Sequence, residues 1–224
     1  MIFNSLDFHP HTKRSVPNAV ERAYRLRTNH IVDSFSLRIP KKIRTEQFHK
    51  LNVCAYEEAD AAKRFWVVEG YASVDLRVSD IASIYKESQP QAVKRMNQLL
   101  KIGINVAAKN EPLFAMHLKL WEELLSSADE EFDHDLRITR AHGSRRWRCN
   151  AVLRITPANY HYDVLVTESR SGRTVERHRV KTTECALPFY SGIGFSKLRW
   201  DGQEIAVLTK DDKEIIRFQT TLPA

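Results

Sequence analysis

The sequence predicts an α+β fold, in which an antiparallel β-sheet meander packs against a long helical pair and a basic N-terminal arm precedes both. Three observations predict this class. The middle of the chain carries apolar side chains at helical spacing, the second half alternates apolar and polar residues in short segments, and the start is basic and interrupted by prolines. Separate runs of helices and strands are typical of α+β proteins. We therefore expect an arm over 1–45 and a single domain over 46–224.

The arm is predicted to contain one short helix. Ser15 is a suitable N-terminal cap, and Pro17 stands in the first turn, where its missing N–H is not needed. Pro40 breaks the helical pattern and favours an extended connection to the rest of the chain. The basic side chains of the arm, a candidate binding surface, are Arg22, Arg25, Arg27, Lys41 and Lys42.

Two strands are predicted between residues 47 and 76, in the segments QFHKLNVCAYEE and RFWVVEGYASVDL. Both are rich in aromatic and β-branched residues, which favour strands. The polar segment EEADAAKR between them is expected to form a hairpin loop. Gly70 is expected to mark a bulge, since a glycine inside a strand pattern often does so.

A helical pair is predicted over 79–130, with Ser79 as its cap and with an interruption near Gln89-Pro90 left open. One apolar stripe runs from Ala92 to Ala107 and a second from Leu113 to Leu125, both at the spacing of an α-helix. The segment Asn110-Glu111-Pro112 separates them, as the end of one helix and the beginning of the next. Because an amphipathic helix must bury its apolar face, we expect the pair to pack on the C-terminal sheet.

The C-terminal sheet is predicted over 134–220 as an antiparallel meander with short connections. Its clearest strand, RRWRCNAVLRI, alternates apolar and polar residues, and YHYDVLVTE does the same after a turn at Pro157. Asp201-Gly202 is the strongest hairpin signal in the chain, because these residues suit a two-residue turn. If the apolar residues of the first strand face the helices, its arginines face outward.

Charge is distributed unevenly along the chain, whose formal net charge is +7. The net charge is +6 over 1–50, −6 over 51–135, +9 over 136–200 and −2 over 201–224. Such segregation indicates separate electrostatic faces rather than a uniformly solvated surface. It favours an anionic partner for the arm and for the sheet.

One face of the predicted sheet is rich in arginine, because the basic residues within each of two strands share one parity. The candidate basic face comprises Arg146, Arg148, Arg154, Arg173, Arg177, Arg179 and Lys181. Arginine is suited to bidentate contacts with carboxylates and phosphates, so this face is a candidate binding site. The alternative is a solvated face whose charges pair across neighbouring strands.

The sequence contains no recognised catalytic or metal-binding motif. Asp163 and Glu168 resemble the carboxylate pair of a metal-dependent nuclease, but they fall on opposite strand parities. His9, His11 and His134 lack the spacing of a ligand set and are expected to be solvated. We expect neither a cofactor nor a metal.

Cysteine use and hydropathy predict a cytoplasmic protein. Cys54, Cys149 and Cys185 are odd in number and widely spaced, which is typical of reduced thiols. No apolar run reaches the length of a membrane span, and the N-terminus lacks the apolar segment of a signal peptide.

Three segments of the second half have a distinctive alternation and turn placement: RRWRCNAVLRI, YHYDVLVTESRSGRTVERHRVKTTE and FSKLRWDGQEIAVLTKDDKEIIRF. Through them, residues 145–218 resemble small α+β proteins of bacterial toxin-immunity loci. The resemblance implies a non-catalytic inhibitor that binds one cognate toxin and covers its active site. Because the predicted face is basic, the toxin is expected to present an acidic surface.

Three functions are compatible with these patterns. The first is a non-catalytic binding protein, of the immunity type, that neutralises or recruits a protein partner through the basic face and the arm. The second is a nucleic-acid-binding accessory protein of a phage, plasmid or defence system, although the chain lacks a recognised nucleic-acid-binding motif. The third is a divergent nuclease that uses Asp163 and Glu168.

Overall fold

The structure is a computed structural model that describes residues 1–11, 18–57, 64–184 and 195–222. The chain divides into two compact units, Met1–Glu130 and Glu131–Ala224. The division therefore falls after Glu130, whereas the sequence pattern places one near residue 45. Ser15, Pro17 and Cys185, for which the sequence makes predictions, lie outside the described residues.

The first unit contains a four-stranded sheet with the strand order β1-β2-β4-β3. Its strands are β1 (Ser5–His11), β2 (Lys50–Tyr56), β3 (Arg64–Val68) and β4 (Tyr71–Arg77). β1 and β4 both run parallel to β2, and β3 pairs antiparallel with β4. The hairpin therefore joins β3 to β4, not β2 to β3 through EEADAAKR as predicted. Gly70, with a φ of 81°, lies in the turn of this hairpin and does not mark a bulge.

Four α-helices belong to the described part of the first unit. They are α1 (Asn18–Arg38), α2 (Gln89–Asn110), α3 (Pro112–Ala115) and α4 (Leu118–Ser126), with a short 3-10 helix at Ile81–Tyr85 before α2. A capping box between Ser88 and Gln91 begins α2, so this helix starts later than the predicted cap at Ser79. The second predicted helix is divided into the single turn of α3 and the longer α4.

Residues 1–45 are part of the first unit rather than a separate arm. β1 pairs with β2, and α1 is 21 residues long, much longer than the predicted short helix. Tyr24, Ile31 and Phe35 of α1 are buried. Two neighbouring parallel strands need a crossover connection, and α1 supplies it between β1 and β2.

The core of the first unit combines residues of its sheet and of its helices. Phe3, Phe48, Phe114 and Trp121 are buried there, and the rings of Phe114 and Trp121 stack with their centroids 5.0 Å apart. The apolar stripes of α2 and α4 belong to the same core as β2 and β4. The helices therefore bury their apolar faces within the first unit, not on the C-terminal sheet as predicted.

The second unit consists of two antiparallel sheets. One contains β5 (Phe132–Ala141), β6 (Trp147–Ile155), β7 (Asn159–Glu168) and β8 (Thr174–Glu184), in that order. The other contains β9 (Phe195–Asp201), β10 (Glu204–Thr209) and β11 (Glu214–Gln219), in the order β11-β10-β9. The α+β class and the antiparallel strand pairing are confirmed, with the difference that the meander forms two sheets.

Candidate functional site

The four-stranded sheet of the second unit has one buried face and one charged face. The buried side chains of β6 are Trp147, Cys149, Ala151, Leu153 and Ile155, together with Val152. Arg148 is exposed and Arg154 is half-buried, both on the parity opposite Trp147. We call the face opposite Trp147 the outer face. The alternation of β6 therefore positions two of the candidate arginines there.

A bulge in β8 changes which of its basic residues reach the outer face. Tyr162 of β7 pairs with Lys181, and the next residue, Asp163, pairs with Arg179. Val180 is therefore an extra residue on β8. Because directly paired residues share a face, Lys181 has the parity of buried Tyr162 and does not share a face with Arg179.

A second bulge has the same effect on Arg173. Val166 pairs with Glu176 and Thr167 pairs with Thr174, so that Val175 is an extra residue. Arg173, next to Thr174, thus falls on the parity opposite the outer face. The single face predicted for Arg173, Arg177, Arg179 and Lys181 is corrected to two residues, because only Arg177 and Arg179 lie on the outer face.

Asp163 is the centre of an ion-pair network on the outer face. Its carboxylate is fully buried and accepts hydrogen bonds from Arg177, at 2.7 Å, and from Nε of Arg179. Arg177 also donates to Asp133 on β5. The hydrogen bonds to Asp133 and to Asp163 raise the pKa of Arg177. Burying the Asp163 charge is tolerable because two guanidinium groups pair with it.

The third outer-face arginine at this end, Arg154, pairs with Glu131. Arg179 donates from Nη1 to Nδ1 of His161 at 2.6 Å, and the Thr182 hydroxyl lies 3.0 Å from the same nitrogen. Burial and the charge of Arg179 lower the pKa of His161. Three arginines, Arg154, Arg177 and Arg179, are thus paired with three carboxylates. At this end of the sheet the charges pair across strands, which is the alternative to a basic binding face that the sequence analysis left open.

The carboxylate pair of the nuclease hypothesis is not brought together. Asp163 pairs with two arginines on the outer face. Glu168 is the cross-strand neighbour of Trp147 and therefore has the parity of the other face. Their separation along β7 is roughly 17 Å, from the rise of an extended strand. Within the described residues, no group of three or more His, Cys, Asp or Glu side chains is placed to hold a metal ion.

The opposite end of the same sheet carries arginines with few partners. The β5–β6 turn and the β7–β8 turn lie side by side there, since the Ser169 N–H donates to the Arg146 carbonyl at 2.8 Å. We call this region the arginine end; it comprises Arg145, Arg146, Arg148, Arg170 and Arg173, all exposed. Among the residues that the structure describes, only Arg146 of these five has a carboxylate partner, Glu168, at 4.0 Å.

Arg146 lies beside Trp147 and Glu168. The Arg146 guanidinium lies over the Trp147 ring, 4.7 Å from its centroid, and its Nε faces one oxygen of Glu168. The Ser171 hydroxyl donates to the other oxygen of Glu168 at 2.8 Å. A cavity of about 520 Å³ is lined by Ser144, Arg145, Arg146, Glu168 and Arg170. Its lining is basic, with a single carboxylate.

Strand parity does not single out Arg145 and Arg170, because both residues stand in turns. The signals that could have found them are the adjacent arginines at 145–146 and the turn Ser169–Gly172, each beside a predicted strand. In an antiparallel meander, alternate turns lie at the same end of the sheet. The connectivity alone therefore predicts that these two turns are neighbours.

The basic residues predicted for the arm do not form one cluster. Arg25 pairs with a glutamate of its own helix at 2.7 Å, and Arg27 donates to a backbone carbonyl before α2. Lys41 and Lys42 are exposed just beyond the C-terminal end of α1, whereas Arg22 is exposed near its N-terminal end. The length of α1 therefore separates the two groups.

The described cysteines are buried thiols of low reactivity. Burial raises the pKa of Cys54 to about 11 and that of Cys149 to about 12, so that both are protonated at neutral pH. His9 lies 3.6 Å from Asp7, and burial lowers the pKa of His134. The side chain of His11 lies outside the described part of the chain.

Comparison with protein-family models, with curated proteins and with solved structures finds no match for this chain. No helix in the described ranges is both long enough and apolar enough to cross a membrane. Function is therefore inferred from the fold itself and from the way in which it distributes charged side chains.

Proposed function

We propose that this chain is a non-catalytic binding protein, which engages an acidic surface of a protein partner through the arginine end. An immunity-type inhibitor that covers a cognate toxin is the form of this function that the resemblance of residues 145–218 favours. The observation that carries the proposal is the unequal pairing of arginine at the two ends of one sheet.

The two ends of the sheet use arginine for different purposes. At the end with Asp163, three guanidinium groups are neutralised by three carboxylates and stabilise the strands. At the arginine end, five arginines accompany one glutamate, so the region has a formal charge of +4. Arginine is enriched among the residues that dominate binding energy, and complementary charge also accelerates association. An acidic partner surface is the chemistry that this end fits.

Nucleic acid is the competing ligand, since guanidinium groups bind phosphates as well as carboxylates. Binding of single strands relies on exposed aromatic rings on which bases stack. In the second unit Trp147, Tyr160, Tyr162 and Trp200 are buried. We therefore assign the arginine end to a protein partner, and phosphate binding becomes an outcome of the test.

A variant with the arginine end neutralised tests the proposal in the full chain. All five of its arginines are replaced by glutamine. The control replaces five exposed lysines in the same way: Lys86, Lys94, Lys109, Lys119 and Lys210. Both variants lose the same formal charge. In affinity capture from the source cells, the wild type and the control should recover the same acidic protein, and the arginine variant should recover about tenfold less.

Two results would contradict this function. One is equal recovery of the protein by both variants; the other is recovery of nucleic acid without protein. The dependence of binding affinity on salt concentration identifies binding to nucleic acid. Binding through five phosphate contacts releases counterions and gives a slope, for log affinity against log salt concentration, of about −3.5 with a single strand and about −4.5 with a duplex. Binding to an acidic protein through the same residues should respond less steeply.

A further inference from the structure

The cavity at the arginine end is built by two turns that backbone hydrogen bonds fix. The Arg145 N–H donates to the His142 carbonyl at 2.9 Å, and the Ser169 N–H donates to the Arg146 carbonyl at 2.8 Å. Arg145 adopts a left-handed backbone with a φ of 58°, which is uncommon outside glycine. These contacts do not need a ligand, so the backbone of both turns is already fixed before binding, while the lining arginine side chains are exposed. A fixed backbone loses less entropy on binding than a flexible one.

The lining of the cavity defines the class of ligand. Arg145 and Arg170 have no carboxylate partner in the described part of the chain, and Arg146 has only Glu168. A planar guanidinium presents paired donors that match the two oxygens of a carboxylate. The volume of about 520 Å³ is within the range of ligand pockets and is more than one carboxylate needs.

We infer that this cavity is a specific receptor for the carboxylates of an acidic segment of the partner, in which neighbouring Asp or Glu side chains bind between Arg145, Arg146 and Arg170. The inference rests on the proposed function, which requires only that the arginine end contacts an acidic surface. It adds that a short peptide with clustered carboxylates is sufficient for binding.

Glu168 has two effects on this site. It is a positioning residue, because it faces Arg146, which lies over Trp147, and it is itself fixed by Ser171. It is also an internal competitor, because its charge repels an incoming carboxylate and offsets part of the Arg146 charge. Neutralising Glu168 without changing its shape should therefore strengthen binding, whereas loss of a purely structural contact should not.

The test uses a fluorescently labelled hexaglutamate peptide, titrated into the full chain at low ionic strength. Arg170→Gln and Arg146→Gln should each weaken binding about tenfold. Glu168→Gln should strengthen it by about threefold or more, because a like charge leaves the site. Lys210→Gln, an exposed substitution outside the cavity, should leave the affinity unchanged. Arg170 stands in an exposed turn, so its variant does not depend on the packing of Trp147.

Three results would overturn the inference: no binding of the peptide, equal or weaker binding by Glu168→Gln, or affinity that is insensitive to Arg146→Gln and Arg170→Gln. If capture of the natural partner still requires the five arginines, the proposed function survives any of these results. A single-stranded hexanucleotide that displaces the peptide at a lower concentration than unlabelled hexaglutamate would reassign the cavity to phosphate. If no protein partner depends on the arginine end, the proposed function itself fails.

Discussion

Asp163 and His30 are buried ionisable residues that the fold accommodates in different ways. Asp163 is buried beside two cationic partners, Arg177 and Arg179. His30 is 1% exposed, and neither of its ring nitrogens has a hydrogen-bond partner among the described residues. Burial lowers the pKa of His30 to about 4, although the charge of Asp129 acts in the opposite direction. His30 is therefore neutral in the folded protein at pH 7.

The free energy of unfolding should fall as the pH is lowered through the range between the two pKa values of His30. The unfolded chain gains a proton there at about pH 6.5, whereas the folded chain resists protonation until about pH 4. The contribution of neutral His30 to the free energy of unfolding is fully present above pH 6.5. By pH 4 this free energy should have fallen by an amount on the order of 3 kcal/mol. Denaturant unfolding at pH 7 and pH 4 measures it. His30→Phe should show a correspondingly smaller loss than the wild type.

Phe35→Leu is the matched control for this measurement. Phe35 is a buried residue of the same helix and is not ionisable. This variant should therefore keep the pH dependence of the wild type, whatever its effect on stability at pH 7. If His30→Phe loses as much stability as the wild type between the two pH values, the buried imidazole is not the cause of the loss.

Single residues show where inference from sequence ends. The alternation of β6 correctly places Arg148 and Arg154 on the face opposite Trp147. The bulges at Val175 and Val180 cannot be seen in a pattern of polar and apolar residues, because each adds one residue without changing the local composition. The ion-pair partners of the arginines cannot be predicted from the sequence either, since a carboxylate that neutralises an arginine can be distant in the sequence.

At the level of elements, α2 approaches β2 closely at one point. A Cβ atom on Gly103 would lie 2.4 Å from Cγ2 of Val53, a distance that no side chain tolerates without movement. The same helix has a capping box and a regular apolar stripe, so the glycine interrupts an otherwise favourable sequence. The close packing of helix on strand therefore outweighs the low helix propensity of glycine.

Gly103→Ala should lower the free energy of unfolding by about 1 kcal/mol. Overpacking costs about 1–3 kcal/mol, which exceeds the gain of about 1 kcal/mol in helix propensity. Val53→Ala should offset part of this loss, since it removes the methyl group that the new Cβ would meet. Denaturant unfolding of the two single variants and the double variant measures the coupling between the positions.

Gly143→Ala is the control, because no atom beyond Gly143 itself and its two chain neighbours lies within 4 Å of its Cβ position. Its effect on stability should stay within about 0.5 kcal/mol. A Gly103→Ala variant that is more stable than the wild type would contradict the packing argument. Additive effects of Gly103→Ala and Val53→Ala would contradict the proposed contact.

Elements with a regular period are the ones that the sequence predicts well. The apolar stripe from Ala92 to Ala107 coincides with α2, and the alternation over 147–155 coincides with β6. β1 is missed because it is short and contains Pro10, which is uncommon in strands. The full length of α1 is missed because buried polar residues, Thr28 and His30 among them, interrupt its apolar stripe. Tertiary burial, and not local pattern, explains both elements.

For the whole molecule, the units redistribute the charge that the sequence segregates. Met1–Glu130 contains 19 basic and 16 acidic residues, and Glu131–Ala224 contains 16 and 12, so the net charges are +3 and +4. The basic and acidic stretches of the first half are combined in one compact unit, where much of their charge cancels. The arginine end is therefore a local feature and does not follow from the overall net charge.

Each unit also has its own buried core. The core of the first unit is made of residues up to Ala128, and the second unit buries residues of β6, β7 and β10. Two substitutions, one in each unit, can therefore show whether stability is divided in the same way. Asp163→Ala leaves Arg177 and Arg179 without their shared carboxylate; because both guanidinium groups are partly exposed to water, the loss should be about 1–3 kcal/mol.

Hydrogen exchange followed by mass spectrometry should locate the two effects in different units. Asp163→Ala should increase exchange in peptides of β6, β7 and β8 and leave α2 protected. Gly103→Ala should increase exchange in α2 and leave β6, β7 and β8 protected. Both expectations follow because local opening depends on the stability of each cooperative unit. Asp163→Asn, which keeps the shape of the side chain and one acceptor oxygen, should have a smaller effect than Asp163→Ala. If either variant increases exchange equally in both units, the chain unfolds as one cooperative structure and the division at Glu130 has no energetic counterpart.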